Sequence, residues 1–294
     1  KGVPKSLIYR VVRSGEVRVN KGRAHVDTRL QSGDEVRIPP IRYTEKESEH
    51  SAPPLKLSEM PPILFEDQNI MVVDKPAGMA SHGGSGISYG LIERMRASRP
   101  ELPFLELVHR LDRGTSGVLV LAKTRKALVR LHEMIREGEM HKTYQALVKG
   151  DWQNDRQHAK FPLFKYVTPS GERRVRVDPE NGLPSHSIFR LKERFGPVSL
   201  VEVDLLTGRT HQIRVHAAEL GFPLVGDEKY GDFAFNDEVA HGSLGVPFKR
   251  MFLHSGKICF HHPITGEELE IEAPLPKDCV ELIEVLEQRK AQNK

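Results

Sequence analysis

Residues 108–123 read Val108-His109-Arg110-Leu111-Asp112-Arg113-Gly114-Thr115-Ser116-Gly117-Val118-Leu119-Val120-Leu121-Ala122-Lys123, and the two halves differ in character. Val118 to Ala122 is an unbroken apolar run bounded by Gly117 and Lys123, the pattern of a strand buried on both faces at the centre of a sheet. The half before it places one carboxylate among two arginines and a histidine, in a glycine-punctuated loop that feeds the strand. Strand-end loops on a rigid sheet are where reactive side chains are commonly displayed. Cations on either side favour the ionised carboxylate, which suits Asp112 as a nucleophile or base rather than a general acid. A plainer alternative has Asp112 capping the turn at 114–117 and pairing with Arg113. Spacing leaves both open.

Around this strand the pattern alternates between helix and sheet. Upstream, Ile63-Leu64-Phe65 and Ile70 to Val73 flank a polar turn at Asp67–Asn69 and predict a hairpin. Downstream, Thr124 can cap a helix whose stripe is Ala127, Leu128, Leu131, Met134 and Ile135, ended by Gly138. Tyr144, Ala146 and Val148 share one face of a strand, as do Val201, Val203 and Leu205. After Gly208 the spacing of Ile213, Ala217 and Leu220 turns helical and stops at Gly221. The expected fold class is α+β, a mixed and largely antiparallel sheet with flanking helices.

The ends are different in composition. Residues 1–42 hold ten Lys/Arg against four acids, a net +6 that leaves −2 for the rest of a chain whose total is +4. Leu7, Ile8, Val11 and Val12 predict a helix, and Val17/Val19 and Val36/Ile38 predict strands punctuated by Asn20-Lys21-Gly22 and Gly33-Asp34. A basic head of this kind fits a polyanion-binding module, and equally a solvated surface. Residues 43–62, rich in Glu, Ser, Lys and Pro, read as an exposed linker. The expected division is therefore a head at 1–42, the linker at 43–62, a catalytic domain at 63–287 and a tail at 288–294. The chain opens at Lys1 with no initiator methionine, as expected of a sequence that begins inside a longer one.

Two cysteines, Cys259 and Cys279, exclude a disulfide scaffold and a cysteine-rich zinc site. No apolar stretch is long enough to cross a bilayer as a helix, and no charged-then-apolar leader is present, so a cytoplasmic location is expected. Among the fourteen histidines, His211 and His216 are in the wrong helical phase to share an ion, and His261-His262 point apart on a strand. No metal is expected. The glycine-rich His82-Gly83-Gly84-Ser85-Gly86 is a weak signal for a phosphate cradle and equally a flexible turn.

The stretch at 108–123 resembles the signature of the RluA-type pseudouridine synthases. DKPAG at 74–78, HKTYQALV at 141–148, GRTHQIRVH at 208–216 and FLHSGKICFHHPITGEELEIEAPLP at 252–276 resemble further blocks of that family, in family order. Within the family, HGGSG and the basic head most resemble the bacterial branch that acts on 23S ribosomal RNA. The resemblance implies that Asp112 is the essential catalytic residue, that Arg214 pairs with it, and that Tyr144 packs against the target base. It implies that Arg110 enters the RNA stack the uridine has left, and that Leu253 lines the pocket. Each position has a bland alternative: Tyr144 and Leu253 as packing, Arg214 as a structural ion pair. The helical phase expected after Gly208 places His211 and Arg214 on one polar face, from which a guanidinium can reach a carboxylate across a cleft. The head resembles the S-four-type RNA-binding domain with its usual first helix missing, so a partial or disordered head is expected, with Arg18, Lys21 and Arg23 as its RNA contacts. Gly114 departs from the family, which has an acidic residue there.

The implied reaction breaks the bond from ribose to the ring nitrogen of a flipped uridine and rejoins ribose to ring carbon 5. It is an isomerisation, so no cofactor is implied. The implied partner is 23S ribosomal RNA or a large-subunit precursor, with no membrane and a monomeric enzyme. A non-catalytic RNA-binding ribosome assembly factor would also explain the basic head, and a carboxylate-based nucleoside hydrolase would also use Asp112.

Overall fold

A computed structural model of the chain describes residues 5–40, 52–84 and 87–292. The chain divides into two units, Lys1–Pro53 and Pro54–Lys294.

In the first unit, α1 (Lys5–Arg13) precedes three short strands, β1 (Arg18–Val19), β2 (Gly22–Arg23) and β3 (Val36–Arg37), in the antiparallel order β2-β1-β3. Asn20 and Lys21 both take positive φ, 49° and 65°, the geometry that joins Val19 to Gly22 through a two-residue hairpin. The third strand completes the hairpin into a sheet. Arg18 lies opposite both Arg23 and Arg37, so three arginines form one row on one face.

The second unit begins with β4 (Ile63–Glu66), β5 (Ile70–Lys75), α2 (Leu91–Ser98), β6 (Glu106–Leu107), β7 (Ser116–Ala122), α3 (Arg125–Glu137) and β8 (His141–Lys149). There follow β9 (Arg156–Ala159), the hairpin β10 (Leu163–Val167) and β11 (Arg173–Val177), β12 (Ser187–Arg194), β13 (Val198–Leu205) and α4 (Gln212–Glu219). The unit closes with α5 (Phe233–Ala240), β14 (Leu253–His261), β15 (Glu268–Glu272) and α6 (Lys277–Gln292). The main sheet runs β4-β5-β7-β14-β8-β13-β12-β9, antiparallel except at the parallel pair β7–β14. The fold is α+β.

Every residue of β7 is buried, because both faces of its apolar run meet a layer. Leu119 and Leu121 join Met71, Val73, Tyr144, Ala146, Val148, Val201 and Val203 in a core that includes Ile213 and Ala217 of α4. Val118 and Val120 point the other way, into a core with Ala127, Leu131 and Met134 of α3. Thr124 caps α3, its hydroxyl accepting from the Ala127 N–H at 3.2 Å, and Gly138 ends it in the left-handed region.

Two boundaries differ from the sequence expectation. Residues 43–51 of the expected linker lie outside the described residues, but from Pro54 onward the chain packs on the second unit. Leu55 is buried in its core, the Leu55 N–H donates to Ser98 Oγ at 2.7 Å, and Glu59 pairs with Arg94 at 2.7 Å. Polar composition concealed the two side chains, Leu55 and Met60, that have something to bury. At the other end α6 runs through Gln292, across most of the expected tail.

Candidate active site

Asp112 sits in the loop between β6 and β7. Its backbone carbonyl accepts from the Thr115 N–H at 3.0 Å, which closes the turn and leaves the side chain free to face elsewhere. The carboxylate crosses to α4, where Arg214 Nη1 donates to Oδ2 at 3.0 Å. The flanking arginines are occupied differently: Arg113 Nε donates to the Gly78 carbonyl at 2.9 Å, and Arg110 bonds the His82 ring. The partner of Asp112 is thus neither neighbour, and the local cap with Arg113 is not formed. Oδ1 accepts no hydrogen bond among the described residues, with His211 Nε2 3.8 Å away.

Arg214 does not stand on a polar face. Gln212 through Ala217 are all buried, since α4 is wedged between the sheet and the β10–β11 hairpin, and a guanidinium there requires a counter-charge. Asp227 supplies it. Arg214 Nε and Nη2 donate to its two oxygens at 2.8 and 2.7 Å, a forked pair, and the Lys229 and Tyr230 N–H groups donate to Oδ1 at 2.9 and 3.2 Å. Burial works against the Asp227 carboxylate, but the Arg214 guanidinium, together with the Lys229 and Tyr230 N–H groups, more than offsets it and holds its pKa below the ordinary value. Burial likewise works against the Arg214 cation, and Asp227 and then Asp112 reverse it, raising its pKa. The guanidinium also lies 5.1 Å from the centroid of the Tyr230 ring. With one edge fixed, Arg214 presents Nη1 to Asp112 in a single orientation.

His211 is not in the helix but caps it, at φ 54°. That left-handed conformation, uncommon for a side-chain-bearing residue, turns the ring toward Asp112 and onto the Tyr230 hydroxyl at 2.7 Å. Burial lowers the His211 pKa, which Asp112 partly restores and Arg214 lowers again.

A cavity of about 820 Å³ opens over these groups. Asp112, Tyr144, Arg214, Leu253 and Arg110 all line it, drawn from β7's entry loop, β8, α4 and β14. Its charge is lopsided: Arg110, Arg113, Arg136, Lys142, Arg209 and Arg214 against the single carboxylate of Asp112. Tyr144 is 6% exposed at its floor; burial pushes its phenol pKa up, a Ser255 hydrogen bond opposes this, and the Asp112 charge adds to it. Beneath the loops lies Lys75, fully buried. Its ammonium donates to the Pro76 and Met79 carbonyls at 2.9 and 2.7 Å and reaches the Arg113 carbonyl at 3.4 Å, tying two pocket loops together. Burial lowers its pKa to about 7, with the Asp112 charge opposing.

The described part of the glycine-rich segment makes no phosphate cradle at Gly83, whose N–H donates to the Glu93 carboxylate. Gly114 has ordinary backbone geometry, and a Cβ there would rest 3.4 Å from Met251, so the position has room for a larger side chain. Among the described residues no group of three or more His, Cys, Asp or Glu could hold a metal ion, and no helix is long and apolar enough to cross a membrane. Arg18, Lys21 and Arg23 belong to the first unit, Arg18 and Arg23 in the arginine row and Lys21 exposed at the hairpin tip.

Asp227 is the residue the sequence reading missed. Val225-Gly226-Asp227 reads as a turn, and Gly226 does take φ 77° where a Cβ would strike the Arg250 carbonyl. No sequence signal marks it, because Arg214 is buried only in the fold, where the one partially exposed carboxylate of Asp112 is too little to balance it.

Residues 69–219 match the RNA pseudouridylate synthase family. The chain belongs to that family. It is an RNA pseudouridine synthase, which sets aside a binding-only role and the hydrolase. The ribosomal large subunit pseudouridine synthase C of Salmonella typhi is 51% identical over 97% of this chain and 89% of its own length. The proteins of the same name from Escherichia coli (strain K12) and Pasteurella multocida are 51% and 50% identical, over 94% and 100% of this chain and 86% and 89% of theirs. Among solved structures, human RNA pseudouridylate synthase domain containing 1 superposes with TM-score 0.60 at 26% identity, over 79% of this chain and 97% of that one. Human RNA pseudouridylate synthase domain containing 4 shares the fold, with TM-score 0.63 at 24% identity over 76% of this chain and 92% of that one. The family match takes in Asp112, Tyr144 and Arg214 of the synthase but ends before Asp227 and Leu253.

Proposed function

We propose that the synthase isomerises uridines of large-subunit (23S) ribosomal RNA and that Asp112 is its essential catalytic residue. The observation that carries this is the Asp112–Arg214–Asp227 chain at the floor of a pocket lined by cations. A polyanion is drawn to such a pocket, and a base flipped from its stack meets the one carboxylate there. Oδ1, which accepts no hydrogen bond among the described residues, is the oxygen that acts on the ribose in this reading. It either attacks carbon 1′, forming an ester as the bond to ring nitrogen 1 breaks, or takes the carbon 2′ proton as that bond breaks to leave a glycal. The uracil then turns, ring carbon 5 bonds carbon 1′ as the ester C–O bond breaks or as the proton returns to carbon 2′, the proton on carbon 5 leaves and nitrogen 1 gains one. Arg214 holds Oδ2, so the reactive oxygen does not swing away. Tyr144 offers its ring to the uracil and its hydroxyl to the late proton transfer, Leu253 closes the apolar side, and Arg110 fills the space the base leaves.

We assign the first unit as an S-four-type RNA-binding module in which Arg18, Lys21 and Arg23 contact phosphate. Three arginines in one cross-strand row repel one another unless an anion lies across them, which supports that reading. Residues 1–42 thus form the RNA-binding head and the second unit the catalytic domain, acting as a monomer in the cytoplasm, where the large-subunit RNA is made. Incubation with unmodified 23S ribosomal RNA, followed by mapping of new pseudouridines, tests the reading: discrete sites that vanish in Asp112→Asn are expected, and no new pseudouridine in the wild-type reaction refutes it.

A further inference from the structure

Lys142 has no role in the chemistry above, yet it lines the same pocket. It stands two residues before Tyr144 on β8, so the two side chains leave the same face of the sheet, ~6.6 Å apart along the strand. Its cross-strand neighbour on β13 is Leu205, which also lines the pocket and offers no charge. Among the described residues the Lys142 ammonium makes no ion pair and no hydrogen bond. Burial lowers its ammonium pKa to about 8.

Its surroundings hold further donors. His109 takes the Val120 N–H on Nε2 at 3.2 Å, so the ring proton is on Nδ1, and that nitrogen is buried with no partner among the described residues. Burial and then the Lys142 charge press the His109 pKa well down, so this imidazole is neutral and cannot relieve the lysine. Arg136, near the end of α3 across the turn at 138–140, lines the pocket and has no acidic partner among the described residues either. A partly buried ammonium without a counter-ion is costly in a protein held together only for itself.

We propose that Lys142, assisted by Arg136, is the seat for the backbone phosphate of the flipped nucleotide, contributing affinity while the Asp112–Arg214 pair sets the alignment of the reacting groups. The inference rests on the pocket receiving a uridine of RNA. With uracil against Tyr144, the ribose separates base from phosphate by a span comparable to one pleat of β8, and Lys142 is the less buried of the two residues.

The test uses the full chain and a short stem-loop substrate, with Lys142→Met, Lys142→Arg and Arg136→Gln. Lys142→Met should weaken RNA binding about 10- to 100-fold, the range for a hydrogen bond to a charged group, and reduce the logarithmic salt slope by ~0.7–0.9. Lys142→Arg should recover most of both, and Arg136→Gln should give a smaller loss in the same direction. The single-turnover rate of Lys142→Met at saturating RNA should stay within about threefold of wild type, since what is lost is binding common to ground and transition states. A neutral methylphosphonate beside the target uridine should cost the wild type as much as Lys142→Met does, and cost Lys142→Met almost nothing more. Additive losses, an unchanged salt slope, or a large fall in the saturated rate overturn the phosphate seat. A wild-type chain that forms no pseudouridine in the stem-loop overturns instead the reading beneath it.

Discussion

Asp227→Asn removes one oxygen from a side chain that holds Arg214 by two, at 2.8 and 2.7 Å. Whichever way the amide turns, its NH2 faces an N–H donor, and Arg214, with its side chain 8% exposed, keeps only the partially exposed Asp112 as counter-charge. Removing one partner of a buried pair costs ~3–5 kcal/mol. For a unit of this size that is a fall in melting temperature of ~6–20 °C. Because the Asp227 carboxyl is held below the ordinary aspartate value, its contribution is complete above that value and is lost as pH falls through its folded pKa. The stability gap between wild type and variant should therefore be widest near neutrality and close in acid. Catalysis should suffer separately: a guanidinium free to tilt lets Asp112 shift, and an Å-scale displacement costs ~100-fold. Urea titrations across pH, with single-turnover kinetics well below the melting temperature, measure both effects. Wild-type stability together with a wild-type rate would refute the role given to the Arg214–Asp227 fork.

Asp112→Asn should lose activity by many decades while the fold and RNA affinity stay near normal; residual turnover within about tenfold of wild type contradicts its role. Arg214→Lys keeps the charge but gives up the fork, so the first step should slow without a new intermediate, and a wild-type rate removes the ion pair from the mechanism. Tyr144→Phe keeps the ring, so binding should persist while only the late proton transfer fails, visible as an accumulating rearranged intermediate; normal product formation assigns that proton elsewhere. Replacing Arg18, Arg23 and Arg37 by glutamine should lower the logarithmic salt slope of RNA binding by ~2–3, at ~0.7–0.9 per contact, and an unchanged slope means the head does not touch RNA.

Strands and helices with a clear period were legible, because one buried face leaves its spacing in the chain. The run at 118–122, the capped helix after Thr124 and the alternation around Tyr144 all took their expected form. The surroundings of Asp112 were not legible. Sequence adjacency pointed to Arg110 and Arg113, whereas the actual partner is 102 positions away and its own support, Asp227, reads as a turn residue. The polar face expected of α4 failed for a related reason: Gln212, Arg214 and His216 look solvated by type, but each finds a partner in the interior. Polar residues are buried when partners exist, and partners are a property of the fold.

The parallel pairing of β7 with β14 also has a consequence for how the protein is made. In the sheet β14 lies between β7, which carries the Asp112 loop, and β8, which carries Tyr144. At ~4.8 Å per strand, its insertion doubles the spacing between the two walls of the pocket. Yet the side chains that meet across the parallel pair, Ser116 and His254, are 138 positions apart. During synthesis β7 and β8 emerge together, and nothing fixes their separation until residues 253–261 follow. Such late, long-range pairing is slow to form and leaves strand edges open meanwhile. A nascent chain halted before β14 would thus carry Asp112, Tyr144, Arg214 and Asp227, and still have no pocket of the right width for a uridine.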